Sequence, residues 1–380
     1  MTPQRPLSVA MVGKYFPPVR GGIEEYVQGL AEAACSACDV TVIVHATGRR
    51  SRLEENGRYR VVQCATWFNA GSQPVSPGLF TALSSRHFDI VHLHVPNVLG
   101  ILAVLTCAKD ARIVVTHHAD MVGFGLAGRV AIALYRRLLR RASAITVLSL
   151  KNRDLARDVG VTQVPFVALP VGLEAERFAR TPERAARAEK LRASLPPDHL
   201  IVGFVGRLVP YKGLDVLIDA LAATPGVSCL IAGDGRERVA LVAAANAKGV
   251  AQRMRFLGEV SEEDRLALLH ACDVFVLPSI NSAEAFGIAQ VEAQFCGLPV
   301  IATDLLTGVT DVTRNGETGI VVEPGQASAL AAAIMRLKSD GELRRRMGDA
   351  GRARAQALYS VSALRERLLA LYALVAGRSG

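Results

Sequence analysis

Two successive series of short, continuous apolar runs constrain the fold of this chain more than any other feature of its sequence. The first series begins at residues 7–12 and closes at 165–169, and the second begins at 200–205 and closes at 319–322. The runs are rich in Val and Ile and do not alternate with polar residues, which is typical of strands buried on both faces. Helical segments separate the runs, so we predict an α/β fold of two doubly wound, Rossmann-like parallel-sheet domains.

The length of 380 residues suits two domains of ordinary size. We predict an N-terminal domain over residues 1–170 and a C-terminal domain over 200–355. Residues 171–199 are irregular and highly charged, and we interpret them as an interdomain linker region. A C-terminal helix over 356–380 could pack back on the N-terminal domain. Doubly wound folds bind ligands at the carboxyl ends of their strands, so we expect the ligand site in the cleft between the domains.

Cysteine usage and hydropathy favour a cytoplasmic protein. The seven cysteines are odd in number and scattered, which argues against a disulfide framework, and Cys35 and Cys38 lack a second pair to complete a zinc site. The first residues lack the apolar core of a signal peptide, and the apolar run 95–108 is shorter than the roughly 20 residues of a membrane span. The net charge of +9 is compatible with nucleic acid, an anionic membrane surface or anionic small molecules.

The stretch 279–303 combines a loop, a helix and a strand around two glutamates. Its apolar stripe predicts a helix from about Phe286 to Gly297, with Glu284 just before the helix and Glu292 about two turns into it. Helical geometry would put the carboxylates roughly 12 Å apart along the axis, too far for an acid and base pair. We therefore expect them to contact the two ends of one extended polar ligand.

A loop that contains glycines and two cations follows the first strand of the second series. In GRLVPYKG, Arg207 and Lys212 lie between the end of that strand and a helix that starts near Leu214. An arginine fork and a lysine point charge can grip a diphosphate, although loop charges of this kind are often only solvated. Gly21 and Gly22 precede the first helix, whose N-terminus could bind an anion, but such a pair also marks ordinary tight turns.

Four histidines cluster near the ends of two strands of the first series. His92 and His94 share one face of a strand, and His117 and His118 follow the next strand. Zinc ligation is disfavoured because no carboxylate or cysteine stands nearby at ligand spacing, and roles in the core or in substrate contact are simpler. No D-x-D motif occurs, so we expect no metal ion.

The segment 128–144 has an apolar side and several arginines elsewhere. This pattern predicts a basic amphipathic helix on an anionic membrane surface, or equally an ordinary surface helix with a charged outer face. Nucleic-acid binding is a weaker alternative, because the chain has one tryptophan and few aromatic residues among its basic ones.

These stretches together resemble the retaining glycosyltransferases of family 4. EAFGIAQVE, beginning at Glu284, resembles the E-x7-E motif of that family, and GRLVPYKG resembles its phosphate loop. The Gly-Gly pair, THHAD and the segment after the second glutamate resemble its glycine loop, histidine loop and tail, in the same order from about residue 12 to 340. The resemblance implies the GT-B fold: two facing domains, an acceptor-side N-terminal one and a nucleotide-sugar-binding C-terminal one, with the active site in the interdomain cleft. It also implies retaining hexosyl transfer without a metal ion or cofactor.

The resemblance assigns roles to the matching positions. Arg207 and Lys212 would neutralise the donor diphosphate and assist its departure. Glu284 and His118 would contact the transferred sugar, and Glu292 would hold the ribose hydroxyls. Backbone amides after Glu284 would meet phosphate or sugar. The predicted catalytic residues are therefore Arg207, Lys212, Glu284 and His118, and the predicted substrate-binding residues are Gly21, Gly22, Asp120, Ala285, Phe286, Gly287 and Glu292.

The donor and acceptor follow from the wording of the same motif. It is most similar to members that use GDP-mannose or a GDP-deoxysugar, with UDP-sugars as the alternative, although Ala285 stands where the family commonly has glycine. The acceptor would be a saccharide or a lipid-diphosphate-linked saccharide in surface polysaccharide or glycolipid assembly, reached at the inner membrane face. The alternatives are a sugar-nucleotide epimerase of the same fold and a non-catalytic nucleotide-sugar-binding subunit. We expect no nucleic-acid partner.

Overall fold

The computed structural model describes residues 5–19, 21–55, 57–118, 125–155, 160 and 163–377. The chain divides into two compact units. The first unit comprises Met1–Leu173 and Val361–Gly380, and the second comprises Glu174–Ser360. Each unit contains one large, mostly parallel sheet covered by helices. The predicted α/β class, with two doubly wound parallel-sheet domains, is confirmed.

The strands follow the predicted apolar runs closely. Those of the first unit are β1 (Leu7–Val12), β2 (Cys38–His45), β3 (Arg52–Glu55), β4 (Arg60–Cys64), β5 (Phe68–Ala70), β6 (Gln73–Val75), β7 (Ile90–Val95), β8 (Arg112–His117), β9 (Ala142–Val147) and β10 (Phe166–Ala168). Those of the second unit are β11 (Leu200–Val205), β12 (Val227–Ala232), β13 (Met254–Gly258), β14 (Val274–Leu277), β15 (Val300–Thr303) and β16 (Gly319–Val322).

The helices cover these sheets. They are α1 (Gly22–Ala34), α2 (Gly78–Ser84), α3 (Val98–Cys107), α4 (Gly125–Leu139), α5 (Pro182–Ala193), α6 (Leu214–Ala222), α7 (Arg238–Ala247), α8 (Glu262–Ala271), α9 (Ile288–Phe295), α10 (Val309–Val312), α11 (Ala327–Ser339), α12 (Gly341–Tyr359) and α13 (Val361–Val375). Short 3-10 turns occupy Leu150–Leu155, Ala175–Phe178, Pro210–Lys212 and Ala251–Arg253. Within the described part of the chain, no helix combines the length and hydropathy needed to cross a membrane.

The first unit has an eight-stranded sheet in the order β10-β9-β8-β7-β1-β2-β4-β3. Its strands pair in parallel except β3, which runs antiparallel to β4, and β5 and β6 form a separate hairpin. The sequence patterns did not predict these three strands, because all residues of β3 and β5 are exposed and β6 has only three residues. Helix α13 packs against α1, so the last described helix belongs to this unit.

The second unit has a six-stranded sheet in the order β13-β12-β11-β14-β15-β16, and every strand pair is parallel. Its core packs Val202 and Phe204 of β11 against Leu217 of α6 and Ile334 of α11. Because parallel strands end at the same edge of a sheet, the loops after β11 and β14 lie side by side. The candidate site of this unit is built on those two loops.

The charged segment expected as a linker contains α5, which packs against α8 in the second unit. Thr181 caps α5 by accepting a hydrogen bond from the backbone of Arg184. The charged side chains that suggested a linker form ion pairs across this contact. The boundary between the two units lies between Leu173 and Glu174. The pairs are Arg177 with Glu262, Arg184 with Glu263, and Arg187 with Asp264.

Candidate functional site

A buried ion pair joins two loops at the carboxyl edge of the second sheet. Lys212 follows β11 and Glu284 follows its neighbour β14. Nζ of Lys212 lies 2.5 Å from Oε2 of Glu284, and the hydroxyl of Ser279 donates to the same oxygen at 2.8 Å. Only 9% of Lys212 and 6% of Glu284 is exposed. Charges so far from solvent need such partners, and the pair therefore forms a fixed, charged site at the strand ends.

The two loops approach this closely because Gly213 lacks a side chain. Gly213 has a φ of 65°, and a Cβ on it would lie 2.1 Å from the carbonyl oxygen of Pro278 in the facing loop. The backbone N–H of Ile280 donates to the carbonyl of Tyr211 at 2.8 Å, which ties the loops together. A side chain at position 213 would force the loops apart and separate the ion pair.

Helix α9 begins later than the sequence pattern predicts. Gly287 precedes it with a φ of 73°, and the first helical residue is Ile288, so the predicted start at Phe286 is wrong. Glu284 lies in the loop outside the helix, and Glu292 lies about one turn into the helix instead of two. The predicted separation along a common helix axis therefore does not apply to the two glutamates.

The backbone just before α9 keeps hydrogen-bond donors available. Among the described residues, the N–H groups of Ala285, Phe286 and Gly287 find no acceptor. The Phe286 side chain packs edge-on against the ring of Tyr359, 5.8 Å between centroids, so only its backbone is available for the predicted substrate contact. Unpaired amides at a helix N-terminus favour an anionic or hydroxyl-rich ligand.

Glu292 lies against an arginine that the sequence pattern did not single out. Nη1 of Arg265, on α8, contacts both carboxylate oxygens of Glu292. The Glu292 side chain is 8% exposed and that of Arg265 is 23% exposed. No sequence motif marks this arginine, because the contact joins side chains of two helices that are 27 positions apart in the sequence. Arg207 differs from both, since it is exposed and pairs with no carboxylate in the described residues.

The glycine loop of the first unit already lies beside a carboxylate. Gly21 precedes α1 and Gly22 is its first residue, while Glu24 and Glu25 stand in the first turn. A Cβ on Gly21 would lie 2.2 Å from Oε2 of Glu24, so this side chain folds back over the glycine. An anionic ligand at the N-terminus of α1 would have to displace the Glu24 carboxylate.

Three histidines stack near the carboxyl ends of β7 and β8, where His92 and His94 are buried and His118 is partly exposed. The rings of His92 and His94 stack with centroids 4.7 Å apart, and those of His94 and His118 stack at 5.4 Å. Nδ1 of His94 and Nε2 of His118 share a hydrogen bond of 3.1 Å, and Nδ1 of His92 shares one of 2.8 Å with the hydroxyl of Tyr372 on α13. Asp120, predicted to bind substrate, lies outside the described residues.

Burial keeps this histidine stack neutral. Desolvation, with a smaller contribution from a neighbouring histidine, lowers the pKa of His92 to about 3 and that of His118 to about 3. It also lowers the pKa of His94 well below the usual value. At neutral pH the stack thus offers uncharged donors and acceptors. Among the described residues, no group of three or more His, Cys, Asp or Glu side chains could hold a metal ion.

The basic helix predicted over 128–144 is shorter in the structure. Helix α4 ends at Leu139, and β9 begins at Ala142 because the chain returns to the sheet there. Arg141 donates to the carbonyls of Leu105 and Ala108 near the end of α3, so it is part of the packing. The large exposed apolar residues of α4 are Leu126 and Val130, and its exposed arginines are Arg129, Arg136 and Arg137, followed by Arg140 just beyond the helix.

Comparison with protein families finds two matches that together span most of the chain. Residues 21–172 match the glycosyl transferase 4-like domain. Residues 187–354 match glycosyl transferases group 1. The first match contains the glycine loop and the histidine stack, and the second contains the Lys212–Glu284 pair and Glu292.

Individual relatives match over nearly their full length. The chain is 30% identical over 392 residues to a phosphatidyl-myo-inositol mannosyltransferase of Mycobacterium tuberculosis, covering 98% of each. It is 29% identical over 355 residues to a GDP-mannose-dependent alpha-(1-6)-phosphatidylinositol monomannoside mannosyltransferase of Mycolicibacterium smegmatis, covering 90% of this chain and 92% of the relative. Sucrose-phosphate synthase from Thermosynechococcus elongatus shares the fold, with a TM-score of 0.80, 23% identity and coverage of 98% and 100%.

Proposed function

Because the chain belongs to the group 1, family 4 glycosyltransferases, which are retaining hexosyltransferases, we propose that it moves a mannose-like hexose from a GDP-sugar to a saccharide or lipid-linked saccharide acceptor. A UDP-sugar is the alternative donor. The GDP preference is supported by the relative named as GDP-mannose-dependent. The product would enter surface polysaccharide or glycolipid assembly.

The observation that carries this proposal is the buried Lys212–Glu284 pair. It holds a cation and a carboxylate at 2.5 Å at the ends of adjacent parallel strands, where doubly wound folds bind ligands. A cation here suits the donor diphosphate, and a carboxylate suits the hydroxyls of the transferred sugar. A site with both groups next to each other fits a ligand that carries phosphate beside sugar.

Transfer with retention needs no protein nucleophile in this scheme. The bond between the sugar C1 and the diphosphate oxygen breaks, the acceptor oxygen bonds to C1 on the same face, and the acceptor proton passes to the leaving diphosphate. Charge develops on the diphosphate, so Lys212 and Arg207 contribute by stabilising it electrostatically. Arg207 is exposed and without a carboxylate partner among described residues, which leaves its guanidinium available for phosphate oxygens.

The remaining candidates would orient the donor. Glu292 would accept hydrogen bonds from the ribose hydroxyls, and the amides of Ala285 to Gly287 would meet phosphate or sugar. Gly22 would also contact the donor. His118, neutral at pH 7, would contact the sugar as an uncharged donor or acceptor.

Nucleotide release tests the proposal directly. The protein is incubated with GDP-mannose, a GDP-deoxysugar, UDP-glucose and UDP-N-acetylglucosamine, each with and without phosphatidylinositol or a lipid-diphosphate saccharide. We expect GDP release from GDP-mannose to rise with acceptor and an α-linked glycoside to form. Isomerised donor without acceptor would indicate the epimerase instead, and binding without release or isomerisation would indicate a non-catalytic subunit.

We also propose that α4 brings the enzyme to an anionic membrane surface. Exposed Leu126 and Val130 stand on the same helix as exposed Arg129 and Arg137, a combination that suits the interface between headgroups and acyl chains. Each cation near such a surface contributes about 1 kcal/mol. Arg129→Glu/Arg137→Glu should therefore reduce co-sedimentation with phosphatidylglycerol vesicles by at least tenfold and leave the weaker binding to phosphatidylcholine unchanged.

A control variant changes the charge equally in the second unit. Arg345→Glu/Arg346→Glu on α12 makes the same substitution at exposed positions. It should retain vesicle binding within about twofold. Equal losses in both variants would show that total charge, and not α4, governs the association.

A further inference from the structure

We propose that Arg265 is a positioning residue for the nucleotide ribose and acts through Glu292. This inference rests on the proposed function, in which Glu292 accepts hydrogen bonds from the ribose hydroxyls. Arg265 does not itself touch the ribose in this scheme. It holds the carboxylate that does.

The geometry of the contact supports such a role. One nitrogen, Nη1 of Arg265, contacts both oxygens of Glu292, so the arginine restrains the whole carboxylate group and not one oxygen alone. The Glu292 side chain is only 8% exposed, and a carboxylate so shielded from water needs a cation beside it to remain a charged acceptor. Arg265 supplies that charge from a neighbouring helix.

Helix α8 is itself anchored immediately before Arg265. Its three preceding residues pair with arginines of the segment 174–193: Glu262 with Arg177, Glu263 with Arg184 and Asp264 with Arg187. These acidic side chains are about half exposed, so each pair contributes little to stability alone. Together they fix the first turn of α8, and Arg265 turns from the same helix toward α9.

The chemistry explains why orientation matters. The two vicinal ribose hydroxyls can donate together to one carboxylate, but only if its oxygens face both of them. Without Arg265 the carboxylate loses this restraint and can rotate, which removes an acceptor from the ribose. Lysine would keep the charge but not the planar guanidinium, so it should restore the function only in part.

The test compares nucleotides that differ only in the ribose hydroxyls. Calorimetric titration measures the Kd of GDP and of 2′,3′-dideoxy-GDP for the wild type, Arg265→Met, Arg265→Lys, Glu292→Gln and Arg187→Met, with the UDP pair in parallel. We expect the wild type to prefer the hydroxylated nucleotide by about tenfold or more. Arg265→Met and Glu292→Gln should reduce this ratio to near 1 and change the Kd of the dideoxy nucleotide by no more than about twofold.

Arg187→Met is the matched control, because it breaks the ion pair of the adjacent residue Asp264 and should keep the full preference. Several results would overturn the proposal. If Arg265→Met keeps the preference that Glu292→Gln loses, or weakens both nucleotides equally, Arg265 does not position Glu292. If Arg265→Met does not fold, as judged by thermal unfolding, Arg265→Lys decides, and a full wild-type preference there would refute the role.

Failure of the underlying function gives a different result. A wild type that binds GDP and dideoxy-GDP equally would reject the ribose role of Glu292, and with it this proposal, while leaving nucleotide binding intact. A wild type that binds neither GDP nor UDP would reject the nucleotide-sugar function as a whole.

Discussion

The two units bury polar groups at the carboxyl ends of their strands in opposite ways. In the first unit, His92, His94 and His118 stack and are kept neutral by burial. In the second unit, Lys212 and Glu284 are also buried, but they lie 2.5 Å apart as opposite charges. Both solutions avoid an isolated charge in a medium of low polarity.

The difference follows from the side chains. Histidine can lose its charge at a small cost, because its ordinary pKa of about 6.5 is close to neutral pH. Lysine and glutamate titrate much further from neutrality, so pairing them when buried requires less free energy than neutralising each of them. The second unit is thus equipped to meet an anionic ligand with charge, whereas the first unit offers uncharged hydrogen-bonding groups.

The largest effect is expected when the Lys212–Glu284 ion pair is broken. In the proposed mechanism Lys212 stabilises the leaving diphosphate, so Lys212→Met should reduce turnover by at least about 100-fold. It also leaves Glu284 buried without its cation, which should lower the free energy of unfolding by about 3 kcal/mol. The double variant Lys212→Met/Glu284→Gln should regain most of that stability without regaining activity. Initial rates and urea unfolding measure the two quantities.

An exposed ion pair of the same unit provides the control. Lys248 and Asp219 lie 3.0 Å apart, and each side chain is about half exposed. Lys248→Met should change the unfolding free energy by no more than about 0.5 kcal/mol and leave turnover unchanged. If the two lysine variants lose stability equally, burial does not strengthen the Lys212–Glu284 pair.

A smaller effect should distinguish the two units by how strongly their stability depends on pH. His92 and His118 have folded pKa values of about 3, and that of His94 is also depressed, whereas an unfolded histidine titrates near 6.5. Between those values the unfolded chain binds protons that the folded unit does not. The free energy of unfolding therefore keeps its full value above pH 6.5. Below that pH it falls by about 1.4 kcal/mol per pH unit for each histidine.

Hydrogen exchange followed by mass spectrometry can resolve this acid sensitivity by region. After correction for intrinsic rates, peptides from β7 and β8 should lose protection between pH 6.5 and 4 more steeply than peptides from β11 and β14. The pKa values of His199 and His270 in the second unit are also lowered, so that unit should lose stability in acid as well. The comparison is therefore between the steepness of the pH dependence in the two units. Equal slopes would contradict the contrast between the units, and His94→Gln should reduce the slope in the first unit.

Much of the fold could be predicted because its strands are buried on both faces. Every predicted apolar run corresponds to a strand, because a continuous Val- and Ile-rich run is typical of a parallel strand with both faces buried. Strands β3 and β5 escaped prediction because their exposed residues leave no apolar pattern, and β6 because it has only three residues. Helix α5 was interpreted as part of a linker because its arginines are explained only by the acidic residues of α8, far away in sequence.

The candidate site was predictable as residue types but not as contacts. Motifs identified Lys212, Glu284, Glu292 and His118, but Lys212 and Glu284 are 72 positions apart and meet only because the loops after β11 and β14 are adjacent. The contact of Glu292 with Arg265 joins residues 27 positions apart on different helices and has no sequence signal. The start of α9 was misplaced because Gly287 adopts a positive φ, which an apolar stripe does not reveal.

The smallest expected effect concerns the link between α13 and the histidine stack. Tyr372→Phe removes the hydroxyl that shares a 2.8 Å hydrogen bond with Nδ1 of His92, and should cost the first unit about 1 kcal/mol. Faster hydrogen exchange should be confined to α13 and β7. Tyr26→Phe is the matched comparison, because it removes a hydroxyl that donates to the carbonyl of Leu169 at 2.6 Å and keeps the ring that packs edge-on against His94 and His118. If both variants accelerate exchange in the same peptides, α13 is held by apolar packing alone. Distinct patterns would show that the histidine stack couples α13 to β7, the strand that carries His94.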